Sequence, residues 1–232
     1  VVMMIYMLDT ANIKEIERLF DLYPINGVTT NPTIIAQEQK PLRRLLVDIR
    51  RVVGDDAMLH VQPIGSKAED IVAEAMEYRD LCKGNYYAKI PVTPQGIKAM
   101  QLLKQRGVKV TATAIFTQQQ ALIAAKAGAD FVAPYVNRLD NISSDGIGVV
   151  ADIMTFIKAY GMPTKVLAAS FKNVEQVHRV CLLGAHAVTI TPELFESLLY
   201  HPLTDRAVWD FYHDGVPYYD ELEMIDTKNN KA

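Results

Sequence analysis

Short apolar runs rich in β-branched and aromatic residues recur along the chain, each followed by turn or polar residues. They predict strands near 4–9, 26–30, 57–62, 86–91, 108–115, 131–136, 165–170 and 186–191. Between them the apolar spacing changes to that of amphipathic helices. Ile13, Ile16, Leu19 and Phe20 mark one; Ile71, Ala75 and Met76, then Leu81, mark another; Ile97, Met100, Leu102 and Leu103 mark a third. Asn12, Thr117, Ser144 and Asn173 stand where helix N-caps belong. Every crossover is long, so the strands must pair in parallel. Eight of them favour a closed (β/α)8 TIM barrel over an open doubly wound sheet. No linker or composition shift divides residues 1–232, so one domain is expected. It ends in an extra helix at about 203–222, patterned by Val208, Phe211 and Tyr212. The polar tail from Asp226 to Ala232 is expected to fray.

Composition narrows the function. Of 232 residues, 50% are hydrophobic, enough for a sizeable core. Lys plus Arg number 24 against 27 Asp plus Glu, a net charge of −3 that argues against a nucleic-acid partner held by bulk charge and gives no reason to expect a membrane surface. Cys82 and Cys181 form no CxxC and read as free thiols in a reducing cytoplasm. The apolar start stops at Asp9 without a basic flank or cleavage site, so no signal peptide is expected.

Polar residues collect at the C-terminal ends of the predicted strands, the end where barrels carry catalytic groups. Asp9 closes the first run, Thr29 and Asn31 the second, and Gln62 the third. Lys89 closes the fourth, Thr113 lies in the fifth, Tyr135 ends the sixth and Ser170 the seventh. Lys89 stands out, because Tyr86-Tyr87-Ala88-Lys89-Ile90-Pro91-Val92 is an apolar run where a charge is costly. Two readings are open. Lys89 is an edge-strand lysine reaching water, with Pro91 marking the edge. Or it is a desolvated amine able to form a Schiff base with a carbonyl. Asp9 has an alternative as a helix cap, Asn31 as a turn residue before Pro32, Tyr135 as core filling, and Ser170 as an ordinary residue ahead of a helix.

Leu8-Asp9-Thr10-Ala11-Asn12, Gly27-Val28-Thr29-Thr30-Asn31-Pro32-Thr33, Lys89-Ile90-Pro91-Val92-Thr93, Ala133-Pro134-Tyr135-Val136-Asn137-Arg138 and Ala168-Ala169-Ser170-Phe171 together resemble the small transaldolase family, and within it the fructose-6-phosphate aldolase branch. The resemblance runs from about Met4 to Tyr219. It implies a cofactor-free class I aldolase that cleaves fructose 6-phosphate, with Lys89 as the Schiff-base lysine. It implies that Asp9 handles the C4 hydroxyl proton, that Asn31 holds substrate hydroxyls and that Thr29 lines the same pocket. Thr113, Gln62 and Tyr135 would surround a proton-relaying water, and Arg138, Ser170 and Lys172 would bind the phosphate. Relatives generally carry Arg where Lys172 stands. The resemblance also implies a homo-oligomer, a pentamer or decamer, joined through the C-terminal helix.

A transaldolase, which transfers the dihydroxyacetone unit between sugar phosphates, is the main rival. Family transaldolases generally carry Glu where Gln62 stands and Phe where Tyr135 stands. A non-catalytic sugar-phosphate-binding barrel is a rival of another class; it explains Arg138 and Ser170 but not a buried lysine. His60, His178, His186, His201 and His213 show no metal-ligand spacing, so no metal is expected. His60 faces the barrel interior by parity and reads as a core histidine. Gly146, Gly148 and Ala151 follow a polar turn rather than a strand, so they start a helix and not a dinucleotide site. Lys40, Arg43, Arg44, Arg50 and Arg51 read as a solvated helix face or a subunit contact.

Overall fold

The computed structural model describes residues 3–219, which fall into two compact units, one ending at Phe195 and the other beginning at Glu196. The first unit is a closed barrel of eight parallel strands. In chain order it runs β1 (Ile5–Asp9), α1 (Ile13–Leu22), β2 (Gly27–Thr29), α2 (Pro32–Gln37), α3 (Leu42–Val53), β3 (Met58–Val61), α4 (Ala68–Cys82), β4 (Tyr86–Pro91) and α5 (Pro94–Gln105). It continues with β5 (Lys109–Ile115), α6 (Gln118–Lys126), β6 (Phe131–Pro134), α7 (Val136–Asp140), α8 (Gly146–Ala159), β7 (Lys165–Ala168), α9 (Val174–Leu182) and β8 (Ala187–Ile190), and the chain passes from the first unit to the second within α10 (Pro192–Leu199). The chain is therefore a (β/α)8 barrel, with every predicted strand in place. In the second unit the extra helix is α11 (Pro202–Gly215), followed by a 3-10 turn over Val216–Tyr218. Residues 220–232, with the end of the predicted helix and the polar tail, lie outside the described residues.

Local chemistry sets the helix starts. The Asn12 side chain accepts from Lys14 and Glu15 N–H, Asn173 caps α9, and Thr117 with Gln120 forms a capping box on α6. Ser144 does not cap α8. Asp145 does, accepting from Gly148 N–H at 2.9 Å, because its carboxylate stands one residue before the first helical residue. Helix α8 begins at Gly146, so the glycines there do start a helix.

Alternation along the strands divides the core into two shells. Outward residues such as Leu8, Val28, Leu59 and Ile90 meet the helices' buried stripes, including Ile16, Leu19, Leu45, Ile49, Met100 and Leu103. Inside the barrel, Met7, Phe131, Leu167 and Ala187 form a cluster with Ile5, Met58 and Tyr87 packed against it. At Gly27 a Cβ would overlap the Met58 carbonyl, so only glycine lets β2 approach β3 this closely.

Two further readings from the sequence do not hold. Arg50 is not on a solvated face: it is 7% exposed, and its guanidinium donates to the carbonyls of Cys82 (2.9 Å), Gly54 (2.6 Å) and Ala57 (2.7 Å). Its neighbours behave as expected for exposed charges: Arg43 pairs with Glu77 and Arg51 with Asp48. Nor is β4 an edge strand, because it pairs with both β3 and β5 in a closed barrel.

Candidate active site

The strand ends named from sequence converge on one rim. Register places Asp9 beside Thr29, Thr29 beside His60, and His60 beside Tyr87 across β1 to β4. Lys89 stands two residues further along β4, in register with Thr111 on β5. Tyr86 and Ala88 take the outer face, so Tyr87 and Lys89 share the inner one.

Lys89 is 3% exposed. Its ammonium group donates to the Thr30 carbonyl at 2.9 Å. That carbonyl is itself fixed, because Thr30 N–H and Oγ1 both donate to the His60 carbonyl at 3.0 Å. A lysine inside a closed barrel, held by one neutral acceptor, does not snorkel to water, and the edge-strand reading ends there.

Asp9 caps no helix; Asn12 serves α1. The Asp9 carboxylate accepts from Thr29 Oγ1 at 2.7 Å. Thr189 Oγ1 lies 2.6 Å from the same Thr29 oxygen. A hydroxyl has one proton, so when Thr29 gives its proton to Asp9, Thr189 must supply the proton between the two threonines. The chain Thr189 → Thr29 → Asp9 points toward the carboxylate. Asn31 is the N-cap of α2, accepting from Ile34 N–H at 3.0 Å through Oδ1. That leaves its amide NH2 for other partners, so the capping and binding readings coexist.

On the opposite side of the rim, Thr113 Oγ1 and Tyr135 OH lie 2.9 Å apart. Strand β5 shifts register between Ala112 and Ile115, and Ala114 within that bulge has φ of +57°. A bulge re-aims the side chains beside it. Phe116 packs edge-on against Tyr135, with ring centroids 5.6 Å apart. The Arg138 guanidinium stands 4.7 Å from the Tyr135 ring centroid, in cation–π range. Ser170 has φ of +62°, and its carbonyl accepts from Asn137 N–H at 2.7 Å, which binds the seventh strand end to the Arg138 turn. Helix α9 begins only at Val174, so Ser170 is a strained loop residue and not a first-turn one. Lys172 is exposed beside this loop, and Gln62 is half-buried just past β3; neither side chain makes a hydrogen bond among the described residues.

Below the rim, His60 is fully buried. Its Nδ1 lies 2.8 Å from Thr111 Oγ1, and its ring stacks on Tyr87 at 4.4 Å and 8°. Burial, then the charge of Lys89, holds its pKa well below the ordinary histidine value. The core-histidine reading is half right, because Nε2 has no partner. Sequence reasoning missed Thr30, which acts through a carbonyl that no side-chain pattern reveals. It also missed Thr189, although a threonine inside Ala187-Val188-Thr189-Ile190 was a visible signal.

Among the described residues no group of three or more His, Cys, Asp or Glu side chains could hold a metal, and no helix is long and apolar enough to cross a membrane. A cavity of about 680 Å³ lies away from the rim, bordered by Met154, Ile157, Met162, Leu183 and His186. It contains none of the convergent groups just described.

The profile of the family described as transaldolase/fructose-6-phosphate aldolase matches residues 6–231. A probable fructose-6-phosphate aldolase of Streptococcus pneumoniae is 41% identical over 210 residues, covering 90% of this chain and 95% of its own. A probable transaldolase of Dictyoglomus turgidum is 41% identical over 207 residues, covering 89% and 95%. Another of Kosmotoga olearia is 41% identical over 213 residues, covering 91% and 95%.

Proposed function

The chain belongs to the transaldolase/fructose-6-phosphate aldolase family, and from that premise we propose that it is a class I aldolase reversibly cleaving fructose 6-phosphate to dihydroxyacetone and glyceraldehyde 3-phosphate. The observation that carries this is Lys89, buried at the C-terminal end of a barrel strand and held, among the described residues, by the Thr30 carbonyl alone. The Lys89 amine adds to the C2 ketone and expels water, giving an iminium. Asp9 takes the C4 hydroxyl proton as C3–C4 breaks. The bonding electrons flow into the iminium, leaving an enamine on Lys89 and releasing glyceraldehyde 3-phosphate. The enamine is protonated at C3, water adds to the resulting iminium, and dihydroxyacetone leaves. No metal or organic cofactor enters these steps.

Thr29 aligns Asp9 through their hydrogen bond, and Asn31 offers its amide to substrate hydroxyls. Arg138 and Ser170, brought together by the Asn137 bond, bind the phosphate; Lys172 adds charge beside them. Thr113 and Tyr135 hold the water that moves protons to and from the imine carbon, with Gln62 as a neutral wall. A phenol can polarise that water and a phenyl ring cannot, which favours release over transfer. Two of the relatives above are named transaldolases, so transfer to another aldose phosphate is the second reading.

The test is product analysis with fructose 6-phosphate, with and without erythrose 4-phosphate, beside borohydride trapping with dihydroxyacetone. Adduct on Lys89 and dominant free dihydroxyacetone are expected. Faster transfer than release makes the protein a transaldolase, and no adduct leaves a binding barrel.

A further inference from the structure

The His60 side chain has no role in the steps above, yet it is a fully buried polar group beneath them. It rests on Tyr87, and Lys89 stands one pleat further along the same strand face, roughly 6–7 Å higher. Thr111, which fixes its Nδ1, is the residue in register with Lys89. Phe131 closes the third side, with ring centroids 5.7 Å apart. Tyr87 is the other titratable group on the ring, and Lys109 stands over the far reach of Tyr87 at 5.2 Å. Among the described residues, the charge that acts on the imidazole is that of Lys89.

Two neutral tautomers are open. If Nδ1 accepts from Thr111, Nε2 carries a buried N–H without an acceptor, in the field of the Lys89 charge. If Nδ1–H donates to Thr111, Nε2 keeps a lone pair in that same field. An orphaned donor next to positive charge is costly on both counts, whereas the lone pair is stabilised by that charge. The second tautomer is therefore the one that fits.

We infer that His60 is a positioning residue for Lys89: a neutral Nδ1–H imidazole, locked by Thr111 and Tyr87, whose Nε2 lone pair stabilises the positive nitrogen that Lys89 carries as an iminium. This rests on the Schiff-base chemistry proposed above. The iminium has a single N–H, for which the Thr30 carbonyl is the acceptor already in place, so the His60 lone pair acts on the positive charge through space. An imidazole is suited to the place because it stays uncharged while offering an acceptor.

The experiment compares wild type, His60→Phe and His60→Gln. Phenylalanine keeps the stacking and removes the lone pair; glutamine restores an acceptor. The readouts are borohydride trapping of dihydroxyacetone, steady-state cleavage of fructose 6-phosphate, and ¹⁵N NMR of the histidines. His60→Phe is expected to lower trapping rate and kcat about tenfold or more with KM little changed, His60→Gln to recover much of that loss, and the wild-type spectrum to show His60 as the Nδ1–H tautomer. Equal trapping and kcat in wild type and a folded His60→Phe overturn the inference while leaving Lys89 chemistry intact. So does an Nε2–H tautomer, which wild-type protein reports even where both variants misfold. Absence of a Lys89 adduct in wild type overturns the proposed function instead.

Discussion

Thr29→Val tests whether the threonine chain orients Asp9 or merely fills the barrel. The two side chains have nearly the same shape, so packing is preserved and two hydrogen bonds are lost. Asp9 loses a donor at 2.7 Å, and a bond to a charged group contributes about 1.5–3 kcal/mol. Thr189, 2% exposed, loses its acceptor at 2.6 Å, and an orphaned buried hydroxyl costs about 1–3 kcal/mol. Because Asp9 is half-buried and regains some water, a total loss of about 2–3 kcal/mol is expected, or roughly 5–10 °C in Tm for a chain of this size. Cleavage of fructose 6-phosphate should fall about 10- to 100-fold in kcat/KM if the bond to Thr29 holds Asp9 in its productive orientation. The double variant Thr29→Val with Thr189→Val separates the effects. It removes the orphan, so stability should recover by about 1–2 kcal/mol, while Asp9 still lacks its donor and activity stays low. Urea unfolding and initial-rate kinetics on the three proteins decide it. Activity that returns together with stability would refute the role assigned to the chain.

Tyr135→Phe leaves the Thr113 hydroxyl without its partner at 2.9 Å and should depress cleavage roughly 10²–10⁴-fold, measured as dihydroxyacetone release, with less effect on transfer to erythrose 4-phosphate. Ala114→Gly relieves a left-handed backbone that costs an L-residue about 1–2 kcal/mol, against about 0.4–1 kcal/mol of added unfolded-chain entropy, so it should raise stability by up to about 1 kcal/mol with activity kept. His60 and His186 both have lowered pKa values, from burial first and then from Lys89 and Lys165 respectively. Above the unfolded value of about 6.5 both states are neutral and stability is full; between that value and each histidine's lower folded one only the unfolded chain binds the proton, and stability falls by up to about 1.4 kcal/mol per pH unit for each histidine. Unfolding free energies at pH 7.5 and 5.5 check this, and His60→Gln should flatten the slope. If the chain forms the homo-oligomer that the resemblance implies, truncation after Leu203 should convert it to monomer in light scattering, since α11 leaves Leu203, Trp209 and Phe211 exposed.

The strands were legible because a parallel barrel strand is buried on both faces and so reads as a short continuous apolar run. Lys89 was legible for the same reason: a charge inside such a run has no cheap explanation. Arg50 should have been legible too. It lies on the stripe of Leu45, Leu46 and Ile49, and was misread because its neighbours Arg43, Arg44 and Arg51 drew it into a charge cluster. Ser144 and Asp145 were both good caps in adjacent positions, and sequence alone does not fix which stands first outside the helix.

What stayed hidden has a common cause. The Thr30 carbonyl, the bulge at Ala114 and the left-handed turn at Ser170 are backbone features, and each depends on register between strands far apart in sequence. Side-chain pattern tells which residues share a face, and it placed Asp9, Thr29, Lys89 and Thr113 on one rim. It does not tell how high each residue sits on that face. Height decides the chemistry, because Lys89 reaches Thr30 only with β4 in its observed register, one pleat above the His60–Tyr87 stack. A slip of one residue would send Lys89 into the outer shell with Ala88 and Ile90. The closed barrel forbids that slip, since every strand is pinned by two neighbours and the ring closes through β1 and β8. The catalytic precision available to this site therefore originates in the closure of the sheet, and substitutions that loosen it should lower activity before they unfold the chain.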